Sequence, residues 1–169
     1  LNSNQAGFYR VHYSDTMLQR LAKAVRDGKV IDAADRLGLV NDVFALAKAG
    51  YGHLVHCFDL LQYYVNEQEY SVWSSIADNL SSIETIFQDD ETSKLLNKYI
   101  IALFKPLFSR FGWTAKSDEG HLDALFRSTV ISRLLESDDP EMTAEAKRLF
   151  DRALAGEAMI TPDIRTSVY

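Results

Sequence analysis

Two consecutive helices are predicted in residues 121–156, HLDALFRSTVISRLLESDDPEMTAEAKRLFDRALAG, and this stretch decides the fold class. Apolar residues recur every three or four positions in its first half, which is the spacing of one face of an α-helix. They are Leu122, Leu125, Phe126, Ile131, Leu134 and Leu135. Asp139 and Pro140 then predict a helix start, because aspartate caps the first turn and proline is tolerated at the first helical position. Gly156 ends the second helix.

Helical signals continue on both sides of this stretch. Predicted helices run from Asp15 to Gly28, over 32–49, from Gly52 to Val65, over 70–88, from Asp90 to beyond Pro106, and from Pro162 onward. Gly38 predicts an interruption or a bend, and Pro106 predicts a kink or a fresh turn. A polar loop is predicted from Thr114 to Glu119. Seven or eight helices joined by short loops favour an all-α fold, an α-α superhelix of HEAT- or armadillo-like helix pairs.

A short N-terminal segment departs from this pattern. Residues 7–13 alternate in character and contain Phe8, Tyr9 and Tyr13, which is typical of a β-strand. One strand cannot bury a face alone, so it is expected either to pair with something outside this sequence or to swap onto a neighbouring molecule. Pro162 begins a helix very close to the last residue, so we also expect that both ends of the sequence are cut from a longer protein.

Composition disfavours several classes of function. The net charge is −6 and no run of Lys or Arg occurs, which argues against nucleic acid and anionic membrane as partners. No apolar run approaches the roughly eighteen residues that would span a bilayer. Cys57 is the only cysteine, so no internal disulfide can form. Its isolation favours a reducing compartment, and we expect a cytoplasmic location.

Three stretches resemble the M1 family of zinc aminopeptidases. The first combines LNSNQAGFYRVHY at 1–13 with DRLGLVNDVFALA at 35–47, followed by Ala49-Gly50. It resembles the junction between a small β-sandwich domain and the C-terminal helical domain of those enzymes. The other two resemble the puromycin-sensitive branch of the family. They are Gly112-Trp113 with EGHLDALFR at 119–127, and PDIR at 162–165 with Val168-Tyr169.

The resemblance implies a domain division and a function for the whole protein. Residues 1–13 would end the β-sandwich domain, and residues 14–169 would form the C-terminal helical domain, truncated at its C-terminal end. The full-length enzyme would remove N-terminal amino acids from peptides with a zinc-bound water. The helical domain would cap the active-site chamber and help to limit access to peptide substrates. Its partners would be the catalytic and β-sandwich domains of the same chain.

The catalytic motifs of that family are absent from this sequence. Neither the zinc motif His-Glu-x-x-His nor the Gly-x-Met-Glu-Asn motif occurs. We therefore expect no zinc and no activity in this fragment alone, with zinc confined to the full-length parent. The alternative is a non-catalytic helical scaffold that binds a protein or peptide through its concave surface.

A possible metal site is carried by His53, His56 and Cys57. Their spacing places all three on one side of a helix, where they could supply two or three ligands of an independent metal enzyme. The spacing lacks the glutamate that zincins place between their histidines, so a structural interpretation, with a core cysteine, stands beside it. His121 at a helix start has two interpretations as well: contact with a peptide, or capping and interdomain packing.

Four charged residues of the first stretch, Arg10, Asp35, Arg36 and Asp42, are interpreted as structural. The last three lie within two helical turns of each other and predict an ion-pair network that fixes the first helix pair. Arg10 is flanked by aromatic residues and predicts a contact between the strand and a helix.

Arg127 is the candidate substrate-binding residue. It lies one turn after Asp123 on the predicted helix 121–136, between apolar positions. A guanidinium group can bind both oxygens of a carboxylate, which suits the C-terminus of a peptide. The alternative for Arg127 is an ion pair with Asp123 inside the same domain.

Overall fold

The computed structural model describes residues 2–28, 31–87 and 89–169. These residues form eight α-helices and two short 3-10 helices, Ser3–Gln5 and Gln62–Tyr64, and contain no β-strand. The helices are α1 (Asp15–Asp27), α2 (Ala33–Lys48), α3 (Leu54–Leu61), α4 (Tyr70–Glu84), α5 (Asp90–Phe111), α6 (His121–Glu136), α7 (Pro140–Leu154) and α8 (Pro162–Val168). The prediction of an all-α fold is confirmed. No helix within these ranges has the length and apolar character to cross a membrane.

The described residues fall into two compact units, the first ending at Asn79 and the second beginning at Leu80. In the first unit, α2 packs against α3 and the 3-10 helix Ser3–Gln5. Its core is apolar and almost free of solvent. The fully buried side chains include Leu39, Phe44, Leu60, Leu61, Tyr64, Trp73 and Ile76.

The second unit is built around α6, which packs against α5, α7 and α8. The bounds predicted for α6, residues 121–136, are confirmed. Asp139 caps α7 as predicted, because its side chain accepts a hydrogen bond from the Met142 backbone N–H. The core of this unit is also apolar, with Ile100, Phe104, Val130, Ile131 and Leu134 fully buried.

Two helix boundaries differ slightly from the predictions. The residue that caps α1 is Ser14, one position before the predicted Asp15; its side chain accepts a hydrogen bond from Met17 N. Gly28 ends this helix in the left-handed conformation, with φ of 66°. The helix predicted over 70–88 ends at Glu84, and residue 88 lies outside the described residues.

Neither Gly38 nor Pro106 interrupts its helix. At Gly38, the Nε2 atom of Gln5 lies 1.7 Å from the position that a Cβ would occupy, so glycine makes room for the N-terminal segment instead of bending α2. The helix α5 continues through Pro106 to Phe111. The carbonyl that loses its donor belongs to the exposed residue Ala102, where water can satisfy it.

The strand predicted for residues 7–13 is not formed. These residues lie outside every helix and strand of the structure. A strand is defined by a hydrogen-bonded neighbour, and the partners found here are side chains: the Gly7 N–H donates to Asn2 and the Val11 N–H donates to Asp42. The alternating pattern therefore predicted a β-strand that is wrong for this chain.

Candidate functional site

The N-terminal segment, residues 2–13, is held on α2 by two buried carboxylates. Asp35 and Asp42 are two helical turns apart and face the same way, and only 8% and 1% of their surfaces are exposed. The Oδ1 atom of Asp35 accepts a hydrogen bond of 2.6 Å from the Asn4 backbone N–H. Asp42 accepts bonds from the Val11 N–H (3.2 Å) and from the Arg10 Nη1 (3.3 Å). Three of the four motif residues thus lie where the segment meets the helix.

The fourth motif residue, Arg36, binds a residue that the sequence did not indicate. Its guanidinium forms a two-pronged ion pair with Glu67, with distances of 2.5 Å from Nε to Oε2 and 2.9 Å from Nη2 to Oε1. The Nη1 group donates to the Ile31 carbonyl at 2.7 Å. Hydrogen bonding with Glu67 raises the pKa of Arg36. Burial by itself would raise the pKa of Glu67, but the bonds from Arg36 and from two backbone N–H groups lower it.

Glu67 also organises the start of α4. Its Oε1 atom accepts hydrogen bonds from the backbone N–H groups of Gln68 (2.8 Å) and Glu69 (2.9 Å). Its carbonyl accepts a bond of 3.2 Å from the Trp73 indole. The Tyr64 hydroxyl also donates a hydrogen bond of 2.7 Å to the Arg36 carbonyl. Arg36 and Glu67 therefore fix α2 to the loop that precedes α4.

Arg127 is fully buried and joins three parts of the second unit. Its Nη1 group lies 2.7 Å from the Asp163 Oδ2 on α8, and its Nη2 group bonds to Glu119 in the loop before α6. The predicted partner Asp123 instead accepts a bond of 3.0 Å from the Gly120 N–H and caps α6. Burial would raise the pKa of Asp163, but hydrogen bonds, including that from Arg127, lower it. A peptide carboxylate would have to displace Glu119 or Asp163 to reach this guanidinium.

A second buried arginine, Arg133, was not singled out in the sequence. Its Nη2 group lies 2.6 Å from the Glu84 Oε2, and its Nη1 group bonds to the Ser81 hydroxyl (2.8 Å) and to the Glu136 Oε2 (2.5 Å). Helical spacing puts position 133 on the apolar face, and Glu84 is distant in sequence. The only signal in the sequence for a buried Arg133 is its position on the same helix face as the apolar residues near Ile131 and Leu134.

His53, His56 and Cys57 do not fit a metal centre. Cys57 has no exposed surface, and burial raises the pKa of its thiol to about 12, so the metal-binding thiolate is disfavoured. The rings of His53 and His56 meet edge to face with centroids 5.6 Å apart. Within the described ranges, no group of three or more His, Cys, Asp or Glu side chains has the geometry to hold a metal ion.

His53 and His56 instead line a cleft of about 300 Å³ together with His12 and Asp15. The Nδ1 atom of His56 lies 3.8 Å from the Asp15 Oδ1, at the outer limit of an ion pair. His121, the remaining histidine, is the exposed first residue of α6. Capping at that helix start is performed by Gly120 and Asp123.

The fold and these buried ion pairs describe an all-helical chain in which charged side chains join helices to neighbouring segments. All 169 residues match the family described as "ERAP1-like C-terminal domain", and the chain belongs to this family. It is 38% identical over 173 residues to Aminopeptidase M1-A of Oryza sativa subsp. japonica, covering 100% of this chain and 20% of that protein. It is 31% identical over 172 residues to Aminopeptidase 2 of Candida albicans, covering 100% of this chain and 18% of that protein.

Animal proteins show the same relationship. The chain is 30% identical over 172 residues to glutamyl aminopeptidase of Mus musculus, covering 100% of this chain and 18% of that protein. The chain therefore spans about a fifth of the length of these M1 aminopeptidases. This agrees with the resemblance noted in the sequence.

Proposed function

We propose that this chain is part of the C-terminal helical domain of an M1 zinc aminopeptidase, where it caps the active-site chamber and helps to limit access to peptides. One observation carries the proposal: every residue matches a C-terminal domain family, yet the chain spans only 18–20% of proteins named aminopeptidases. The remaining length of such a parent is available for the catalytic groups. The compartment that we propose is cytoplasmic.

The parent enzyme would remove N-terminal amino acids from peptides, and a zinc ion held outside this chain would activate the attacking water. The residues of this chain contribute rigidity instead. The Arg36–Glu67 pair, the Asp35 and Asp42 anchors and the Arg127 cluster each fix one helix to a neighbouring segment. A wall of fixed helices can exclude bulk water and folded proteins from a reaction chamber.

The partners that we propose are the catalytic and β-sandwich domains of the same polypeptide, and the peptide substrate. Phe8 is fully exposed and Tyr9 is 59% exposed, although both lie between the anchored residues Asn4 and Val11. Exposed aromatic residues on a fixed backbone are typical of the central contacts of protein interfaces. We propose that they contact the β-sandwich domain, of which residues 1–13 form the end.

The cap function is tested by measuring how fast the full-length parent cleaves a large substrate and a small one. We expect Phe8→Ala combined with Tyr9→Ala to loosen the contact between domains. Cleavage of the N-terminal residue of a folded protein should then rise relative to cleavage of an aminoacyl fluorogenic amide. Tyr51→Ala is the matched control, because Tyr51 is exposed but lies outside the segment. An unchanged ratio in the double variant would contradict the proposed role.

The isolated chain provides an independent test. We expect no turnover of an aminoacyl fluorogenic amide by the purified 169 residues. Turnover that a chelator abolishes would contradict the assignment of catalysis to the rest of the parent. The reading frame of the parent protein distinguishes the aminopeptidase proposal from the scaffold alternative. A His-Glu-x-x-His motif upstream of this chain would exclude a non-catalytic scaffold.

A further inference from the structure

A polar groove of about 600 Å³ lies on the first unit, between α2 and residues 70–79 of α4. Every side chain that lines it carries a hydrogen-bonding group. They include Asn41 and Lys48 of α2, and Ser74, Ser75, Asp78 and Asn79 of α4. Facing helices are ordinarily joined by apolar side chains, so close packing does not explain this lining.

A pair of asparagines forms the centre of the groove. The Oδ1 atom of Asn41 accepts hydrogen bonds from the Ser75 hydroxyl (2.8 Å) and from the Asn79 Nδ2 (3.0 Å). Asn79 is 9% exposed, and its Nδ2 also donates to the Ser75 carbonyl at 2.9 Å. Lys48 donates to the Asn79 Oδ1 at 3.4 Å. These contacts hold the Asn41 amide in one orientation.

The arrangement leaves the Asn41 donor group available. Both acceptor positions of its oxygen are used, whereas its Nδ2 group makes no hydrogen bond to any residue that the structure describes. Asn41 is half-buried beside the buried Asn79, and polar side chains in place of apolar packing between helices are expected where a site binds something. A fixed donor with its supporting contacts already made is a preorganised binding group.

We propose that this groove binds the main chain of an extended peptide. The Asn41 Nδ2 would donate to a peptide carbonyl, while the Ser74 hydroxyl and the Asp78 carboxylate would accept from peptide N–H groups. An extended main chain offers both kinds of group along its length, independent of its side chains. The inference deepens the proposed function and rests on it, because a cap of a peptide chamber would meet substrates of many sequences.

The test is an NMR titration of the ¹⁵N-labelled chain with a decapeptide of alternating glycine and alanine, acetylated and amidated at its ends. These caps remove terminal charge, so that only the main chain is offered. We expect shifts of the Asn41 and Asn79 side-chain amides and of the Ser74 backbone amide. Asn41→Asp keeps the oxygen that Ser75 and Asn79 need but removes the donor, and it should weaken binding about tenfold.

The controls make each outcome decisive. Asn97→Asp makes the same chemical change on α5, and it should bind the peptide as the wild type does. Unchanged thermal unfolding of Asn41→Asp will show that the helices still pack. Equal binding by Asn41→Asp, or an absence of shifts at Asn41 and Asn79 at millimolar peptide, would overturn the proposal. Comparable shifts with maltose would also overturn it, since the groove would then recognise hydroxyl groups in general.

This result is independent of the cap test. Peptide binding is measured on the isolated chain, whereas capping is measured as the size selectivity of the parent. If the titration shows no peptide binding but the parent enzyme loses its size selectivity as expected, only the proposal of a peptide-binding groove is overturned. If the size selectivity of the parent enzyme is unchanged, the proposed cap function itself is overturned.

Discussion

Asp42 on α2 accepts a hydrogen bond of 3.2 Å from the Val11 backbone N–H, and this bond joins two segments 31 residues apart. The carboxylate is almost completely buried. Its other bond, from Arg10, also comes from the N-terminal segment. The N-terminal segment is therefore held on α2 by a single buried carboxylate at this point.

We expect Asp42→Ala to destabilise the chain by about 2 kcal/mol, because it leaves the Val11 N–H and the Arg10 guanidinium without their acceptor. Urea unfolding followed by circular dichroism measures the change. Asp59→Ala is the control, because Asp59 is exposed on α3 and should change stability by less than about 0.5 kcal/mol. Equal effects of the two substitutions would show that the segment is not held by Asp42.

Glu67→Ala should destabilise the chain more than Asp42→Ala does. We expect its free energy of unfolding to fall by about 3–5 kcal/mol, because the half-buried Arg36 and two backbone donors are left unpaired. A double-mutant cycle with Arg36→Ala isolates the interaction of the pair. We expect the double variant to be less unstable than the sum of the two single variants. Additive losses would indicate that the two side chains act separately.

The Glu67 pair also predicts a dependence of stability on pH. The pKa of Glu67 is lowered from 4.5 in the folded chain. Its contribution is therefore fully present above the unfolded value and is lost as the pH falls through the folded pKa. Unfolding midpoints in urea should decrease below about pH 4.5, and they should decrease less in Glu67→Gln. A pH profile that is identical in Glu67→Gln would contradict the stabilising role of this carboxylate.

Helix starts and stops were predictable because their signals are local. Asp139 with Pro140 marks the start of α7, and the residues of α6 show one apolar face. Each signal acts within a single turn of helix, so sequence spacing contains all the information needed. Ser14 was missed as the cap of α1 only because Asp15, its neighbour, has the same capping chemistry.

Long-range partners were not predictable, since they depend on how helices pack. Arg127 was assigned the nearby Asp123 as its structural partner, but it binds Asp163, which lies 36 residues further along the chain. Gly38 was interpreted by its low helix propensity, whereas its function is to admit the Gln5 side chain. In both cases a contact between distant segments overrides the local preference.

Arg127→Ala should release α8 from the second unit. The substitution leaves Glu119 and Asp163 as two partly buried carboxylates without their shared cation. We expect hydrogen exchange of the Ile164 and Val168 backbone amides to accelerate more than exchange in α5. Arg152→Ala is the control, because Arg152 is 44% exposed and lies 3.7 Å from Glu157. Unchanged exchange in α8 would mean that Arg127 does not hold this helix and would favour its alternative role in binding substrate.

Cys57 gives a prediction that bears directly on the metal hypothesis. Its thiol has no exposed surface and burial raises its pKa to about 12, so the reactive thiolate is strongly disfavoured at pH 8. We expect a disulfide reagent such as DTNB to react slowly with the native chain at pH 8 and rapidly after unfolding in urea. Added zinc should not change the native rate, because the completely buried thiol is not accessible to a metal ion. Rapid native labelling that zinc suppresses would instead place Cys57 beside His53 and His56 in a metal site.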